Sequence, residues 1–172
     1  MKGYIMKSKV FKLLSCMLLA ALLLTGCGKD AKKAEFEKYF MDFCDQVTEI
    51  DGKIKAIDPN SESAPSELLA DLDELNKLFG EMSTTKFPKD YDYLVTLAEE
   101  SGSFMNLAVE NYHAAFEAPV FDEESANIAS EYYARSYKRL KYMITFMQGD
   151  VPDTNEISYS TADSNDDSSA TE

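Results

Sequence analysis

Glu110 and His113 lie one helical turn apart, in the run Glu110-Asn111-Tyr112-His113. Glu-x-x-His on one helix is the spacing with which half of a di-iron carboxylate site grips its metal inside a helical bundle. The complete site takes a second Glu-x-x-His and two further glutamates from facing helices. His113 is the sole histidine of the chain, so one molecule has no second pair to offer. The residue therefore reads as a partly exposed or core-edge histidine. Ser101-Gly102-Ser103 offers hydroxyls around a glycine. His113 is three helical turns away, and no nucleophile elbow surrounds the serines, so serine catalysis has no support. Gly costs about 1 kcal/mol in a helix interior. Its presence marks a close backbone approach, a kink or a small pocket, with packing against a bulky aromatic of the first or fourth helix expected. Asp71, Asp73 and Glu74 would suit a divalent cation and equally a solvated helix face. Tyr91, Tyr93, Tyr112, Tyr132, Tyr133, Tyr137 and Tyr142 could line a sugar-binding groove, or edge a core with their hydroxyls in water.

The most pronounced basic cluster is Arg135, Lys138, Arg139 and Lys141. Ile128, Tyr132, Arg135, Arg139, Tyr142 and Phe146 recur at spacings of three and four, a stripe along one helix. Arg and aromatic side chains are enriched at binding hot spots, which makes Tyr132, Arg135, Arg139 and Tyr142 the expected partner surface. The competing reading pairs the arginines with acidic flanks of neighbouring helices while their stems cover apolar surface. No catalytic, cofactor-binding or metal-ligating residue is expected.

Four helices must carry these groups. In 31–57, Phe36, Phe40, Phe43, Val47, Ile50, Ile54 and Ile57 alternate spacings of four and three, the seam of a packed helix. Asp58-Pro59-Asn60 stops it, and Pro65 suits the first turn of the next helix. There Leu68, Leu72, Leu75, Phe79 and Met82 repeat the spacing. A third helix is expected from Pro88 to about Glu117, with Leu94, Leu97, Phe104, Ala108, Tyr112 and Ala115 inward. Pro119 ends it, Asp122 caps the fourth helix, and Glu123 and Glu124 suit its positive end. Tyr133, Tyr137, Leu140, Ile144 and Met147 form the fourth seam, and Gly149 closes the helix ahead of Pro152. No segment alternates with period two. The expected fold is all-α: an antiparallel up-down-up-down four-helix bundle over 31–149. About 118 residues support one core.

The tail, 150–172, holds seven acidic residues, eight Ser or Thr and no Lys or Arg. It lacks the apolar surface to offset its ordering entropy and is expected to be disordered.

The N-terminus is of another kind. Lys2, Lys7, Lys9 and Lys12 precede a 12-residue apolar run, Leu13 to Leu24. A spanning helix needs about 20 apolar residues, so this run fits a cleaved signal peptide. Met6 would start a signal of more usual length. Leu24-Thr25-Gly26-Cys27 then follows at once. This stretch resembles the lipobox of bacterial lipoproteins, and the resemblance covers about residues 1–28. It implies cleavage after Gly26 (signal peptide 1–26), lipidation of Cys27, a short tether over 27–30, and residence on the outer side of a membrane in the cell envelope. Gly28 is not the Asp that favours inner-membrane retention in Gram-negative cells. Two or three acyl chains hold a protein stably to a bilayer.

Loss of 1–26 removes four lysines and no acidic residue, leaving 13 basic and 31 acidic residues, net −18. That excess argues against nucleic acid, whose phosphates need a basic stripe. Lys29, Lys32, Lys33 and Lys38 run against the trend, next to where headgroups would lie. With Cys16 removed and Cys27 lipidated, Cys44 has no partner for an intramolecular disulfide and reads as a small buried hydrophobe. The expected protein is a membrane-anchored envelope lipoprotein acting as a non-enzymatic helical interaction or scaffold module. It has no cofactor, and its partners are the bilayer, through acylated Cys27, and an envelope protein. The alternatives are a small-molecule or divalent-cation binding module and, third, a ferritin-like di-metal oxidase.

Overall fold

The computed structural model describes residues 31–151. The expected signal peptide, Cys27, the expected tether and the tail from 152 onward, with its expected disorder, lie outside the described residues. Four long helices, α1 (Ala31–Ala56), α2 (Ala64–Thr84), α3 (Val95–Glu117) and α4 (Glu123–Met147), pack as a bundle around one apolar core. Among the described residues there is no strand.

α1 buries the expected seam, with Phe36, Phe40, Phe43, Val47 and Ile50 inward and Ile54 half-buried. It stops where the Asp58 side chain accepts from the Asn60 N–H at 3.0 Å and the Asp58 carbonyl from Ser61 N–H at 3.0 Å. Pro59 supports the break by disfavouring helical backbone at Asp58. α2 starts with Pro65 in its first turn, buries Leu72, Leu75, Phe79 and Met82, and encloses Leu69 where Leu68 was expected. Leu68 packs half-buried beside it.

The third helix departs from expectation. Lys89–Leu94 is a 3-10 turn, and α3 begins only at Val95. The tighter turn brings residues three apart onto one side, and it is Tyr91 and Leu94 that are buried there. Along α3 the innermost residues are Ala98, Ser101, Gly102, Met105, Ala108, Val109 and Ala115, while Leu97 and Tyr112 sit at the core edge. α3 packs against both α4 and α2, and small side chains let it approach two neighbours at once. The same shift appears on α4. Ala129, Ser136, Leu140 and Met143 lie deepest, and Tyr133, Tyr137, Ile144 and Met147 flank them.

α4 has the expected ends. Asp122 Oδ1 accepts from the N–H groups of Glu124 at 3.0 Å and Ser125 at 3.3 Å. Gly149, at φ 86°, lets Asp150 N–H reach the Thr145 carbonyl and Gly149 N–H the Phe146 carbonyl. Those two bonds form a Schellman closure, which needs the left-handed backbone that glycine adopts freely.

Candidate functional site

His113 is half-buried on α3, and Glu110 does not share its environment. Its Nε2 lies 3.0 Å from Asp73 Oδ1 of α2 and its Nδ1 lies 2.8 Å from Glu117 Oε1 one turn on. The bonds to Glu117 and Asp73 raise the imidazole above its ordinary pKa, so both ring nitrogens donate once it is protonated. Glu110 instead accepts from Asn106 Nδ2 at 2.7 Å. Of the acidic trio, Asp73 turns to His113 and Glu74 to Lys53 at 3.3 Å, while partial burial raises Asp71 above the ordinary carboxylate value. Among the described residues, no three His, Cys, Asp or Glu side chains are placed to hold a metal ion.

Arg139 reaches from α4 to α3. Its Nε donates to Glu100 Oε2 at 2.6 Å, and its guanidinium lies 5.3 Å from the centre of the Phe104 ring. Arg135 remains exposed, 3.9 Å from Glu131 and stacked 5.5 Å over Tyr132. Tyr142, expected on the outer stripe, is enclosed at 3% exposure, with the Lys138 ammonium 5.8 Å over its ring. A ring of that size gains more from enclosure than a solvated contact residue keeps. Of the four expected surface residues, the structure leaves Tyr132 and Arg135 presented together and ties Arg139 and Tyr142 into the molecule.

Ser101 and Gly102 bring three helices together, and the atoms nearest a Cβ on Gly102 come from α2, a serine and a backbone carbonyl, not from an aromatic ring of α1 or α4. A Cβ on Gly102 would lie 2.8 Å from Ser83 Cβ and 3.1 Å from the Phe79 carbonyl oxygen, so α2 approaches α3 through backbone and a serine. On the other side, Ser101 Oγ donates to the Ser136 carbonyl at 2.9 Å and Ser136 Oγ donates to the Ser101 carbonyl at 2.8 Å. Each serine satisfies a buried carbonyl of the other helix.

Two buried carboxylates escaped the sequence reading. Asp51, 8% exposed, accepts from Tyr137 Oη at 2.7 Å and Tyr133 Oη at 3.1 Å. Glu37, also 8% exposed, accepts from Tyr91 Oη at 2.7 Å. Burial, with the neighbouring carboxylate adding to it, pushes all three phenols far above their usual range. They stay protonated donors that join α1 to α4 and to the 3-10 turn. A signal for these residues existed: Glu37, Cys44 and Asp51 recur every seven residues directly after the seam positions Phe36, Phe43 and Ile50, and all three are buried. The tyrosines thus divide among separate roles, with Tyr93 left largely exposed. Among the described residues, every buried side-chain nitrogen or oxygen has a hydrogen-bond partner.

Compared with known proteins, the chain matches no family model, no curated protein and no solved structure. Among the described residues, no helix is long and apolar enough to cross a membrane.

Proposed function

We propose that this chain is a lipid-anchored protein of the cell envelope, held through Cys27, whose helical domain is a non-enzymatic interaction module. The observation that carries the domain reading is how its reactive-looking side chains are spent. His113 pins α2 to α3, Arg139 pins α4 to α3, Ser101 and Ser136 fasten each other, and Asp51 and Glu37 serve tyrosines. A catalytic set keeps a nucleophile or base within reach of substrate, whereas these groups are consumed in joining helices. The bundle is of the antiparallel up-down-up-down kind. Rising positions on one helix meet falling positions on the next: Tyr39, Phe43 and Lys53 meet Thr85, Phe79 and Glu74, and Glu100 and Phe104 meet Arg139 and Tyr132.

The presented pair Tyr132 and Arg135 is the proposed contact surface for an envelope partner. In-cell crosslinking from a photoreactive residue at position 132 tests it. A discrete protein adduct that Arg135→Glu abolishes is expected. An adduct pattern unchanged by Arg135→Glu overturns this choice of surface.

A further inference from the structure

We infer that the bundle stands end-on upon an anionic bilayer, with the end carrying the Lys89–Leu94 turn against the headgroups; this rests on the anchoring at Cys27 proposed above. The contacts define that end. The Phe36 ring lies 4.7 Å from Phe87 and 5.3 Å from Tyr91, and Tyr93 lies 5.6 Å from Phe146. The start of α1, the α2–α3 link and the end of α4 therefore lie together. Segments 31–39, 85–94 and 140–151 hold six lysines and five acidic residues, of which Glu37 is buried under Tyr91. The opposite end is assembled from 49–74 and 110–131, joined by Lys53–Glu74 and His113–Asp73. Those segments hold fourteen acidic residues and two lysines. Nearly all the net negative charge of the described domain is thus displaced to one end.

Geometry turns this asymmetry into an orientation. Only residues 28–30 separate Cys27 from Ala31 at the head of α1. Even fully extended, that stretch spans about 10–14 Å, one to two Debye lengths at physiological salt. The tether alone would let the domain stand or lie. Lying would place the acidic end within a Debye length of anionic headgroups. Standing lifts it by the length of α1, 26 residues or about 39 Å, where its repulsion is screened. Lys38, Lys86 and Lys89 are exposed at the membrane-facing end, and lysines beside an anionic surface are attracted to it. Tyr93, 54% exposed at the same end, is the amphipathic aromatic that settles at headgroup level.

The chain contains no tryptophan, so single-tryptophan probes report orientation. Lipidated Tyr93→Trp and Phe121→Trp proteins, both changed at exposed positions, are reconstituted into vesicles of phosphatidylcholine with or without 30% phosphatidylglycerol. A phosphatidylcholine brominated near the headgroup serves as quencher. Trp at 93 is expected to be quenched at least twofold more with phosphatidylglycerol than without. The excess should disappear in 1 M salt and on adding Lys86→Glu/Lys89→Glu, and persist with Lys53→Glu/Lys55→Glu. Trp at 121 should be unquenched throughout. Equal quenching at 93 and 121, or equal quenching at 93 in both vesicles, overturns the orientation. Flotation separates the two claims: protein that floats without excess quenching at 93 overturns docking and leaves anchoring intact, and protein that does not float overturns both.

Discussion

Gly102→Ala should destabilise the protein even though alanine is the better helix former. In an unobstructed helix interior the change gains about 1 kcal/mol. Here the new Cβ would stand 2.8 Å from Ser83 Cβ, where carbon atoms prefer about 3.5–4.0 Å. α3 cannot back away freely, because its far side is fastened to α4 by the two serine bonds at 2.8 and 2.9 Å. Overpacking of this kind costs about 1–3 kcal/mol, so a net loss of about 1 kcal/mol is expected, a fall in Tm of about 3–6 °C for a domain of this size. Gly52 and Gly80 are internal controls in α1 and α2. A Cβ at either would meet nothing within 4 Å, so Gly52→Ala and Gly80→Ala should each stabilise by about 0.5–1 kcal/mol. Urea unfolding followed by circular dichroism at 222 nm reads all three. In the double variant with Ser83→Gly, the Gly102→Ala penalty should shrink by about 1 kcal/mol, as expected for residues in contact. If Gly102→Ala stabilises as much as Gly80→Ala, the close approach of α2 and α3 is refuted.

Three further changes test the polar joints. Asp51→Ala takes the shared acceptor from two part-buried tyrosine hydroxyls and should cost about 1–3 kcal/mol, whereas Asp51→Asn keeps an acceptor and should cost about 1. A loss below about 1 kcal/mol for Asp51→Ala would show that the tyrosines do not depend on it. Arg139→Ala should cost about 1–2 kcal/mol in the same assay, because the charge-assisted bond to Glu100 and the stem's packing go together. Arg135→Ala, on an exposed side chain, should stay within about 0.5 kcal/mol, and equal losses would contradict the difference in their roles. His113 has a folded pKa raised above 6.5 by Glu117 and Asp73. Its contribution is therefore complete below pH 6.5 and is lost as pH rises through the folded value. Asp73 and Glu117 are largely exposed, so the effect is below about 1 kcal/mol. The stability gap between wild type and His113→Gln should narrow from pH 6 to 9, and a constant gap would contradict the bridge.

The helices were legible because their apolar spacing is regular: α1's seam is buried as read from Phe36 to Ile50, with Ile54 half-buried and Ile57 just past the helix end, and Asp122 and Gly149 close α4 with the expected bonds. Ala108, Ala115 and Leu140 lie deep as read, but elsewhere the inward residues of α3 and α4 were read about one position off. Large side chains signal a seam in a sequence, but a helix gripped from two sides puts Ala98, Ser101, Ala129 and Ser136 deepest and moves its aromatics to the edge. The 3-10 turn was hidden because Pro88 reads as an ordinary helix start. Gly102 announced a close approach, yet its partner, Ser83 on α2, depends on how helices align in space. Arg139's pairing with Glu100 was one of two readings left open by the stripe, and only the alignment of α3 with α4 decides between them. Asp51 and Glu37 were masked by charge, since an acidic residue beside a seam ordinarily points to water.

Lipid anchoring of the domain depends on Cys27, and mass spectrometry of the protein's N-terminal peptide, purified from bacterial membranes, tests it directly. The expected result is a chain that begins at Cys27 and carries a diacylglycerol thioether, and a Cys27→Ala variant that lacks this mass and is lost from the membrane fraction. An unmodified Cys27 within an uncut chain, or full membrane retention of Cys27→Ala, would contradict it.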